Sequence, residues 1–411
     1  MNMPGKYITR MKKINNIVLP RQSNLRRRSW QFILLFGIIS MFGDITYEGG
    51  RSIASPYLAI LGAGSAMVGL VSGLGEFIGY AFRLVSGYIA GKTKSYWTIT
   101  FVGYGLLISI PLLAITNNWQ LAALFVVLER LGKAVRSPAK DTMLSFATSN
   151  TGRGFGFAVH EFIDQIGGII GPLLFSIVFF LHGTYRTGFT LLWIPAILTI
   201  IFLLIARIKV PKPELLEDDH TEKEELSALP QKLSPKFWRY MLFSFLSVLG
   251  FANFQLIAYH LKVNAVITDT QIPLFYAIAM GVDAVAALII GKIYDKTGLK
   301  VLGLLPLITI PIAFAAFTHS FNWVLVSVVL WGVAMAIHET IMRAAIADIV
   351  TAKRRAFAYG IFYTAYGLAW FLGSTSIGYL YQISIPLILW FVACVQILAL
   401  LSFLFLYKEL K

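Results

Sequence analysis

The sequence predicts an all-α membrane protein in which twelve transmembrane helices form two pseudo-symmetric bundles of six. Three observations lead to this fold class: a very apolar composition, twelve apolar runs of membrane-spanning length, and landmarks that repeat between the two halves of the chain. Of the 411 residues, 57% are hydrophobic and only 13% are charged, with a mean hydropathy of +0.72. Soluble domains carry about 25% charged residues, so this composition indicates a membrane protein.

Apolar runs long enough to cross a bilayer follow one another along the chain. A helix needs about 20 mostly apolar residues to span the hydrocarbon core. Such runs lie near 30–59, 66–90, 98–116, 119–139, 155–181, 188–208, 237–261, 271–294, 299–317, 322–346, 357–381 and 385–407. Each run predicts one transmembrane helix.

The basic residues between these runs predict the orientation of the chain. With the N-terminus in the cytoplasm, the outer loops contain two basic residues, Arg186 and Lys262. The inner loops contain many more, including Lys92, Lys94, Lys140, Arg153, Lys292, Lys296, Lys300, Lys353, Arg354 and Arg355. Because positively charged loops stay in the cytoplasm, we expect a multi-pass protein of the plasma (inner) membrane with both termini cytoplasmic.

A basic segment precedes the first apolar run. It contains Lys6, Arg10, Lys12, Lys13, Arg21, Arg26, Arg27 and Arg28, with no acidic residue among them. The net charge of +15 is concentrated beside a membrane span, which favours a lipid-facing anchor over a nucleic-acid partner. The lipid bilayer is therefore the expected partner of this tail, and nucleic acid is not.

A polar stretch at 207–239 divides the chain. Its prolines and mixed charges are typical of a linker. The predicted organisation is a basic cytoplasmic tail at 1–28, a six-helix bundle at 29–208, a cytoplasmic linker at 209–236 and a second bundle at 237–411. The single cysteine, Cys394, excludes an internal disulfide.

Three pairs of landmarks repeat at similar offsets in the two halves. The stretch "GYIAGKTKSYW" from Gly87 matches "GKIYDKTGLKV" from Gly291, and 153–171 matches 355–373. Between them, "RSPAKD" (136–141) matches "RAAIAD" (343–348). Repeated landmarks of this kind indicate an internal duplication.

These features resemble the major facilitator superfamily, in particular a bacterial-type twelve-helix efflux permease. The loop residues that match the signature of the superfamily are Gly291, Asp295, Lys296, Gly298 and Lys300. The resemblance implies that this loop is a cytoplasmic gate in which the acidic residue latches the two halves together. The first-half copy of the loop departs from the signature, so we expect the latch at Asp295.

Two further stretches resemble motifs of the same superfamily. Arg130 in "LERLGKAV" is similar to a fourth-helix arginine that the family links to proton coupling. "GGIIGPLL" (167–174) is similar to a fifth-helix antiporter motif, although Phe175 and Ser176 replace its closing glycines. The alternative is structural, since glycine and proline let helices pack closely and bend.

The stretch "MFGDITYEGGR" (41–51) places charges inside the first predicted span. Asp44, Glu48 and Arg51 are spaced to share one helical face, with Asp44 near the middle of the membrane. A charge there costs about 2.5 to 3.5 kcal/mol, so it should face a cavity or a partner. The alternative is a self-neutralising Glu48–Arg51 pair that only orients the helix; we favour a place in the transport path.

Other charges of the first half reinforce this interpretation. They are Glu76 and Arg83 in the second span, Glu129, Arg130, Lys133 and Arg136 in the fourth, and His160, Glu161 and Asp164 in the fifth. The resemblance implies that the first and fourth helices line a central cavity. We expect Asp44 and Glu129 to carry protons, with Arg130 or Arg136 as the competing positive charge; Lys133 and Arg136 have topology as their alternative role.

The second half is poorer in charge and richer in aromatic residues. Its candidate cavity residues are Asn253, Asp283, His338, Glu339, Arg343, Tyr363, Tyr366 and Trp370. The last three recur at helical spacing and form one aromatic stripe. Such a stripe either packs the bundle or binds a flat or cationic solute.

Two suggestive motifs are incomplete. "HEFID" and "HETIM" begin like a zinc-protease motif, but Asp164 and Met342 replace its second histidine. "GAGSAMVG" (62–69) is followed by no phosphate-binding lysine. We therefore expect no metal, no cofactor and no enzymatic activity.

The sequence thus predicts a monomeric secondary active transporter that moves a small solute by alternating access, with proton-coupled efflux as its expected chemistry. One alternative is a divalent metal exporter that uses His160, Glu161, Asp164, His338 and Glu339 as ligands. Another is a non-transporting membrane sensor or assembly protein of the same fold. The identity of the solute is not predicted.

Overall fold

The structure, a computed structural model, describes residues 5–149, 151, 153–216, 233–350 and 352–408. Side chains are described within these ranges except at 5–24, 153–155, 158, 295, 347, 352–357 and 408. The side chains of the basic residues from Lys6 to Arg21, and most of the predicted linker at 209–236, therefore lie outside what is described.

Seven α-helices form the first half, which we define as residues 25–209. They are α1 (Gly5–Ile60), α2 (Ser65–Thr93), α3 (Tyr96–Gly105), α4 (Trp119–Thr148), α5 (Arg153–Phe180), α6 (Tyr185–Leu191) and α7 (Trp193–Lys209). Two 3₁₀ turns, Leu106–Ser109 and Pro111–Ile115, extend α3, and another, Pro213–Leu216, follows α7.

Eight α-helices form the second half, which we define as residues 235–408. They are α8 (Pro235–Leu249), α9 (Phe254–Val263), α10 (Gln271–Thr297), α11 (Leu304–Ala316), α12 (Phe321–Ala336), α13 (Met342–Ile349), α14 (Ala352–Ile383) and α15 (Ile385–Lys408). A 3₁₀ turn, Gly298–Gly303, leads into α11, and a π-helix, Ile337–Ile341, joins α12 to α13.

The helices group into twelve segments of membrane-spanning length, which confirms the all-α fold class. Ten segments in the described part of the chain are long and apolar enough to cross a membrane. The other two are α4, which carries the charges from Glu129 to Lys140, and α14, which is rich in tyrosine, glycine and serine. Both are long helices, and the buried charges Glu129, Arg130 and Arg136 of α4 lie inside the bundle.

The break between α8 and α9 is made by Gly250 to Asn253. Asn253 caps α9, because its Oδ1 accepts a hydrogen bond from the backbone N–H of Leu256 at 2.8 Å. Its Nδ2 donates to Ser374 Oγ at 2.6 Å, and the side chain is fully buried. Asn253, which the sequence suggested as a cavity residue, is therefore a helix cap that ties α9 to α14.

Glycines allow α1 and α5 to approach backbone to backbone. A Cβ at Gly167 would lie 2.2 Å from the carbonyl oxygen of Met41, and one at Gly171 would lie 2.5 Å from that of Ile45. The second half has a similar contact, since a Cβ at Gly373 would lie 2.3 Å from the oxygen of Leu249. The structural role suggested for the glycines of "GGIIGPLL" is thus confirmed.

We call the end of the bundle at loops 61–64 and 181–184 the distal end, and the opposite end, where α7 ends at Lys209 and α8 begins at Pro235, the terminal end. At the distal end the halves are in contact. Ser65 Oγ donates to the carbonyl oxygen of Gly378 at 2.9 Å, and Ser176 Oγ donates to that of Thr270 at 3.0 Å. These contacts join α2 to α14 and α5 to the loop before α10.

Candidate functional site

Four buried ionic side chains meet near the middle of the bundle. Glu76 Oε1 on α2 accepts a hydrogen bond from Arg51 Nη2 on α1 and forms an ion pair with Arg130 Nη2 on α4, both at 2.9 Å. Arg51 also lies 3.7 Å from Glu48 Oε1, one helical turn away. We call Glu48, Arg51, Glu76 and Arg130 the central ion cluster.

Two tyrosines complete this cluster. Tyr276 on α10 donates its hydroxyl proton to Glu48 Oε2 at 2.6 Å, which links the second half to the first. Tyr47 accepts hydrogen bonds from Arg130 Nη1 and, at 3.2 Å, from Arg51 Nη1. Its ring also faces the Lys133 ammonium, whose nitrogen is 4.0 Å from the ring centroid. Tyr47 therefore contacts three cationic side chains, two of them through its hydroxyl oxygen and Lys133 through its ring. The negative face of an aromatic ring attracts a cation in this position.

The pairing within the cluster is what allows these ions to stay buried. The side chains of Arg51, Glu76 and Arg130 are only 9 to 11% exposed. Removing such ions from water is costly, and the cost is offset only when partners and hydrogen bonds are complete. The small residue Gly75 supports the arrangement, because a Cβ there would lie 2.9 Å from Arg130 Cγ.

The cluster lies between two cavities. Tyr47, Arg51 and Arg130 line both of them and so form the partition. The cavity on the distal side is lined by the apolar residues Ala54, Leu58, Val71, Ile110 and Val126 and by further polar residues, Ser55, Ser72, Glu129 and Gln255. The cavity on the terminal side, which we call the charged cavity, is lined by Tyr47, Glu48, Arg51, Glu76, Gly79, Tyr80, Arg83, Arg130, Lys133, Met335, Glu339 and Trp370.

An aromatic wall from α14 borders the charged cavity through Trp370 and a smaller neighbouring cavity through Tyr363 and Tyr366. The ring of Tyr80 on α2 stacks on Tyr363 with a centroid separation of 5.9 Å and meets Tyr366 edge-on at 5.0 Å. Tyr366 in turn packs on Trp370 at 5.7 Å. The predicted aromatic stripe therefore lines a cavity while it also packs the two halves together.

His338 extends this wall from the π-helix. Its ring lies 4.9 Å from that of Phe251 and 5.9 Å from that of Tyr366. A smaller cavity of about 190 Å³ adjoins it and is lined by Tyr80, His338, Glu339, Arg343, Phe362, Tyr363 and Tyr366. Tyr80 and Glu339 line this cavity and the charged cavity alike, so the two spaces are neighbours.

Asp44 does not join the central ion cluster, although the sequence places it on the same helical face as Glu48. It is half-buried and, among the described residues, forms neither an ion pair nor a side-chain hydrogen bond. Lys133, Glu48 and Arg136 act on it electrostatically, in that order. Asp44 is thus a carboxylate in a charged environment with no fixed partner.

Glu129, the other predicted proton carrier, is 1% exposed and lies 3.6 Å from Arg136 Nη2. Of the two arginines expected beside it, Arg136 is the partner and Arg130 belongs to Glu76. Lys133, for which topology was the alternative role, lines the charged cavity instead.

Three predicted residues of α5 lie together nearby. His160 Nε2 is 2.9 Å from Ser40 Oγ, which is also 3.5 Å from Lys140 Nζ. One ligand atom each from His160, Glu161 and Asp164 lies within 4.8 Å of the others, close enough to hold a metal ion. His160 is buried, whereas Glu161 is exposed.

The remaining predicted residues are dispersed. Asp283 is buried in α10, and Arg343 is exposed beside the smaller cavity. In the predicted gate loop, Gly298 ends α10 with a φ of 61°, and Gly291 is half-buried. Lys296 and Lys300 of that loop are exposed, and the side chain of Asp295 lies outside those described.

A bond that the sequence did not suggest lies beside this loop. Tyr294 donates its hydroxyl proton to Asp348 Oδ2 at 2.5 Å, which connects the end of α10 to α13. The repeat of Asp141 at Asp348 was the available signal. For Tyr47 the signal was its place among the charges of 41–51, and no sequence signal marks Tyr276.

Comparisons with known proteins agree with this architecture. The sequence model of the Major Facilitator Superfamily matches residues 34–315 and 240–411. An uncharacterized protein of Mycobacterium tuberculosis is 40% identical over 375 residues, which cover 90% of this chain and 92% of that protein. An uncharacterized MFS-type transporter of Methanocaldococcus jannaschii is 27% identical over 387 residues, covering 91% and 94%.

Solved transporter structures share the fold. The crystal structure of the nucleoside transporter NupG matches with a TM-score of 0.71 and 15% identity, covering 92% of this chain and 99% of that one. A bacterial homolog of the human lysosomal transporter Spinster, in an inward-facing and occupied conformation, matches with a TM-score of 0.66 and 16% identity, covering 92% and 94%. With twelve helical segments, a central cavity and these matches, the chain belongs to the major facilitator superfamily and is a multi-pass secondary transporter.

Proposed function

We propose that the protein exports a small solute in exchange for protons by alternating access. In this proposal the units at 29–208 and 237–411 move relative to each other in the plasma membrane, and both termini and the 209–236 linker are cytoplasmic. The observation that carries the proposal is Asp44, a half-buried carboxylate inside a transmembrane helix that has no fixed partner among the described residues.

An unpartnered carboxylate at this depth is suited to carrying a proton. Its ionised form is costly in the membrane interior unless a cation compensates it. The positive charge of Lys133 acts on Asp44, and Lys133 also lines the charged cavity. A solute that engages Lys133 would compete with Asp44, so solute binding and proton binding become linked.

The central ion cluster supports a coupling of this site to movement of the halves. Glu48 accepts the hydrogen bond of Tyr276 from the second half and lies beside Arg51, which shares Glu76 with Arg130. A change of charge in the cavity therefore alters a network that includes a bond between the halves. This provides a physical route from protonation to alternating access.

The outward direction is supported by the resemblance of 167–174 to an antiporter motif. Gly167 and Gly171 of that stretch make the close α1–α5 contact, so the motif residues have a packing role in this fold.

Everted membrane vesicles with an acidified interior test the proposal. A pH-sensitive dye reports proton release as organic cations, organic acids, sugars and divalent metals are added in turn. We expect one solute class to dissipate the gradient with wild type and with the control variant Asp269→Asn, which changes a carboxylate of the α9–α10 loop. Asp44→Asn should abolish this release.

Counterflow of the same solute without a proton gradient separates coupling from binding. Asp44→Asn should retain exchange of labelled for unlabelled solute, because exchange requires binding and movement but no proton. If Asp44→Asn dissipated the gradient as wild type does, the assignment of Asp44 would be wrong.

A second candidate, divalent metal export, is favoured by the spacing of His160, Glu161 and Asp164. Imidazole and carboxylate groups are suitable ligands for Mn²⁺ and Zn²⁺. If only these ions dissipate the gradient, and His160→Gln prevents it, this candidate replaces the first.

A further inference from the structure

The charged cavity has a surplus of positive charge that its own residues do not neutralise. Four cationic and three anionic side chains line it: Arg51, Arg83, Arg130, Lys133, Glu48, Glu76 and Glu339. Arg51 and Arg130 are matched by Glu48 and Glu76 in the central ion cluster. Two cations, Arg83 and Lys133, then remain against one carboxylate.

Neither cation forms an ion pair with a carboxylate in the part of the chain that the structure describes, although the charge of Lys133 acts on Asp44 and that of Arg83 on Asp141. Arg83 Nε donates to the carbonyl oxygen of Gly79 at 2.9 Å, and its guanidinium lies over the ring of Tyr80 at 5.0 Å. Lys133 contacts the ring of Tyr47. Both retain free N–H donors, because an arginine has five and a lysine has three.

Helix packing brings the two cations to the same side of the cavity. Helices α2 and α4 run side by side, since Gly75 contacts Arg130 and Ser86 Oγ donates to the carbonyl oxygen of Ala134 at 2.7 Å. Arg83 and Lys133 lie between these contacts on adjacent helices and both line the cavity. They form one basic subsite on the first half.

The opposite side offers unpartnered hydrogen-bonding atoms among aromatic rings. His338 is 2% exposed and Trp370 is 3% exposed. Neither ring nitrogen of His338, nor Nε1 of Trp370, has a hydrogen-bond partner among the described residues. Buried polar atoms are costly when unpaired, so a partner from a ligand would satisfy them.

The π-helix at Ile337–Ile341 sets the directions of these groups. Its wider turn places His338 against the rings of Tyr366 and Trp370, while the next residue, Glu339, lines the charged cavity. Single π-turns inside α-helices occur frequently at functional sites. The aromatic subsite therefore belongs to the second half and adjoins the basic subsite of the first.

We propose that the solute is an organic acid that carries a planar ring, with its acidic group between Arg83 and Lys133 and its ring against Trp370 and His338. This rests on the proposed function, because it assigns the solute class of the same cavity. A ligand of this kind contacts both halves at once, through charge on one side and stacking with hydrogen bonding on the other.

Equilibrium binding to the purified protein in nanodiscs at fixed pH tests the proposal. Four probes are compared: indole-3-acetate, its neutral amide indole-3-acetamide, the cation tryptamine, and cyclohexylacetate, which has the acid without the planar ring or its N–H. We expect indole-3-acetate to bind about tenfold to a hundredfold more tightly than the other three. Equal or tighter binding of any of the other three, or no binding of indole-3-acetate, would overturn it.

Variants assign the two subsites. Arg83→Gln and Lys133→Gln should each weaken indole-3-acetate about tenfold and leave indole-3-acetamide unchanged, whereas Lys133→Arg restores the affinity. His338→Phe should weaken both indole ligands. The matched control is Lys92→Gln, an exposed cation of α2 that should have no effect.

A purely structural role of Arg83 and Lys133 would weaken all ligands alike, and that result would contradict the assignment. Arg83→Gln decides the question alone if the Lys133 variants fail to fold. Because binding at fixed pH involves no proton gradient, a failure here leaves proton coupling untouched. Conversely, the probes would still bind in the predicted order if Asp44 carried no proton.

Discussion

The two walls of the charged cavity use polar groups in opposite ways. On the first half, Arg51, Glu76 and Arg130 are buried and paired with one another at 2.9 Å. On the second half, His338 and Trp370 are buried among rings, with nitrogen atoms that have no partner among the described residues. The difference indicates that the central ion cluster of the first half holds the fold together, whereas these nitrogen atoms of the second half are available for a ligand.

This contrast reverses the emphasis that the sequence suggested. Charge density made the first half the candidate transport path, and the aromatic stripe of the second half was equally compatible with packing. Pairing, rather than the number of charges, separates structural from functional groups. In the first half Asp44, Arg83 and Lys133 remain outside the ion pairs, and these are the residues to which we assign function.

We expect the largest loss of stability when the ion pairs of the first half are broken. Glu76→Ala leaves Arg51 and Arg130 without their shared carboxylate and should destabilise the protein by about 3 to 5 kcal/mol. Denaturant titration in mixed micelles measures this change. Glu161→Gln, which alters an exposed carboxylate of α5, is the control and should change stability little.

A double variant sharpens this result. Removing Arg130 together with Glu76 eliminates one of the unpaired charges, so the Glu76→Ala/Arg130→Ala protein should be less destabilised than the sum of the two single variants. Additive losses would mean that the pair contributes no coupling energy.

Removing the hydrogen bond between Tyr276 and Glu48, which joins the two halves, should have the next largest effect. Tyr276→Phe removes the hydroxyl that donates to Glu48 Oε2. Losing a hydrogen bond to a buried charge costs about 1.5 to 3 kcal/mol, which favours conformations in which the halves separate. The measurement is the labelling rate of a cysteine placed at Ser176, at the distal contact, in a protein without Cys394. Tyr276→Phe should make this labelling faster. An unchanged rate would show that the Tyr276–Glu48 bond does not hold the two halves together.

A substitution in the aromatic wall should increase the stability of the protein instead of lowering it. His338→Phe replaces a buried ring whose nitrogens are unpartnered by an apolar ring of similar shape, and should stabilise the ligand-free protein by about 1 kcal/mol. Thermal unfolding in detergent measures it, with His260→Phe as the control. His260 Nδ1 is bonded to Tyr381 at 2.8 Å, so its replacement should destabilise. A loss of stability in His338→Phe would show that His338 has a structural partner.

The smallest effect is expected for an ion pair that is short but partly exposed. Lys262 Nζ lies 2.6 Å from Asp269 Oδ1, and the two side chains are 24 and 37% exposed. Exposed pairs contribute about 0 to 1 kcal/mol because water screens them. Lys262→Met should therefore lower the free energy of unfolding by less than about 1 kcal/mol. A loss as large as that of Glu76→Ala would show that distance, rather than burial, determines the contribution of a pair in this protein.

Several features of the site could be predicted because they are local. The spacing of Glu48 and Arg51 on one turn of α1 predicts their proximity, and they lie 3.7 Å apart. The recurrence of Tyr363, Tyr366 and Trp370 predicts a common face, and these rings line one wall. Asn253 illustrates the limit, because a polar residue in an apolar run fits a cavity and a helix cap equally well until the chain break is seen.

The sequence by itself determined the membrane fold, because about 20 consecutive apolar residues are stable as a helix across a bilayer whatever their neighbours are. It also determined which helices carry charge. Only the tertiary structure decided which charges are paired, since Glu76 takes its partners from α1 and α4, and Glu48 takes a hydroxyl from α10 in the other half. These contacts depend on distances between helices, which no local pattern encodes, and they decide whether a buried charge stabilises the fold or remains free to act.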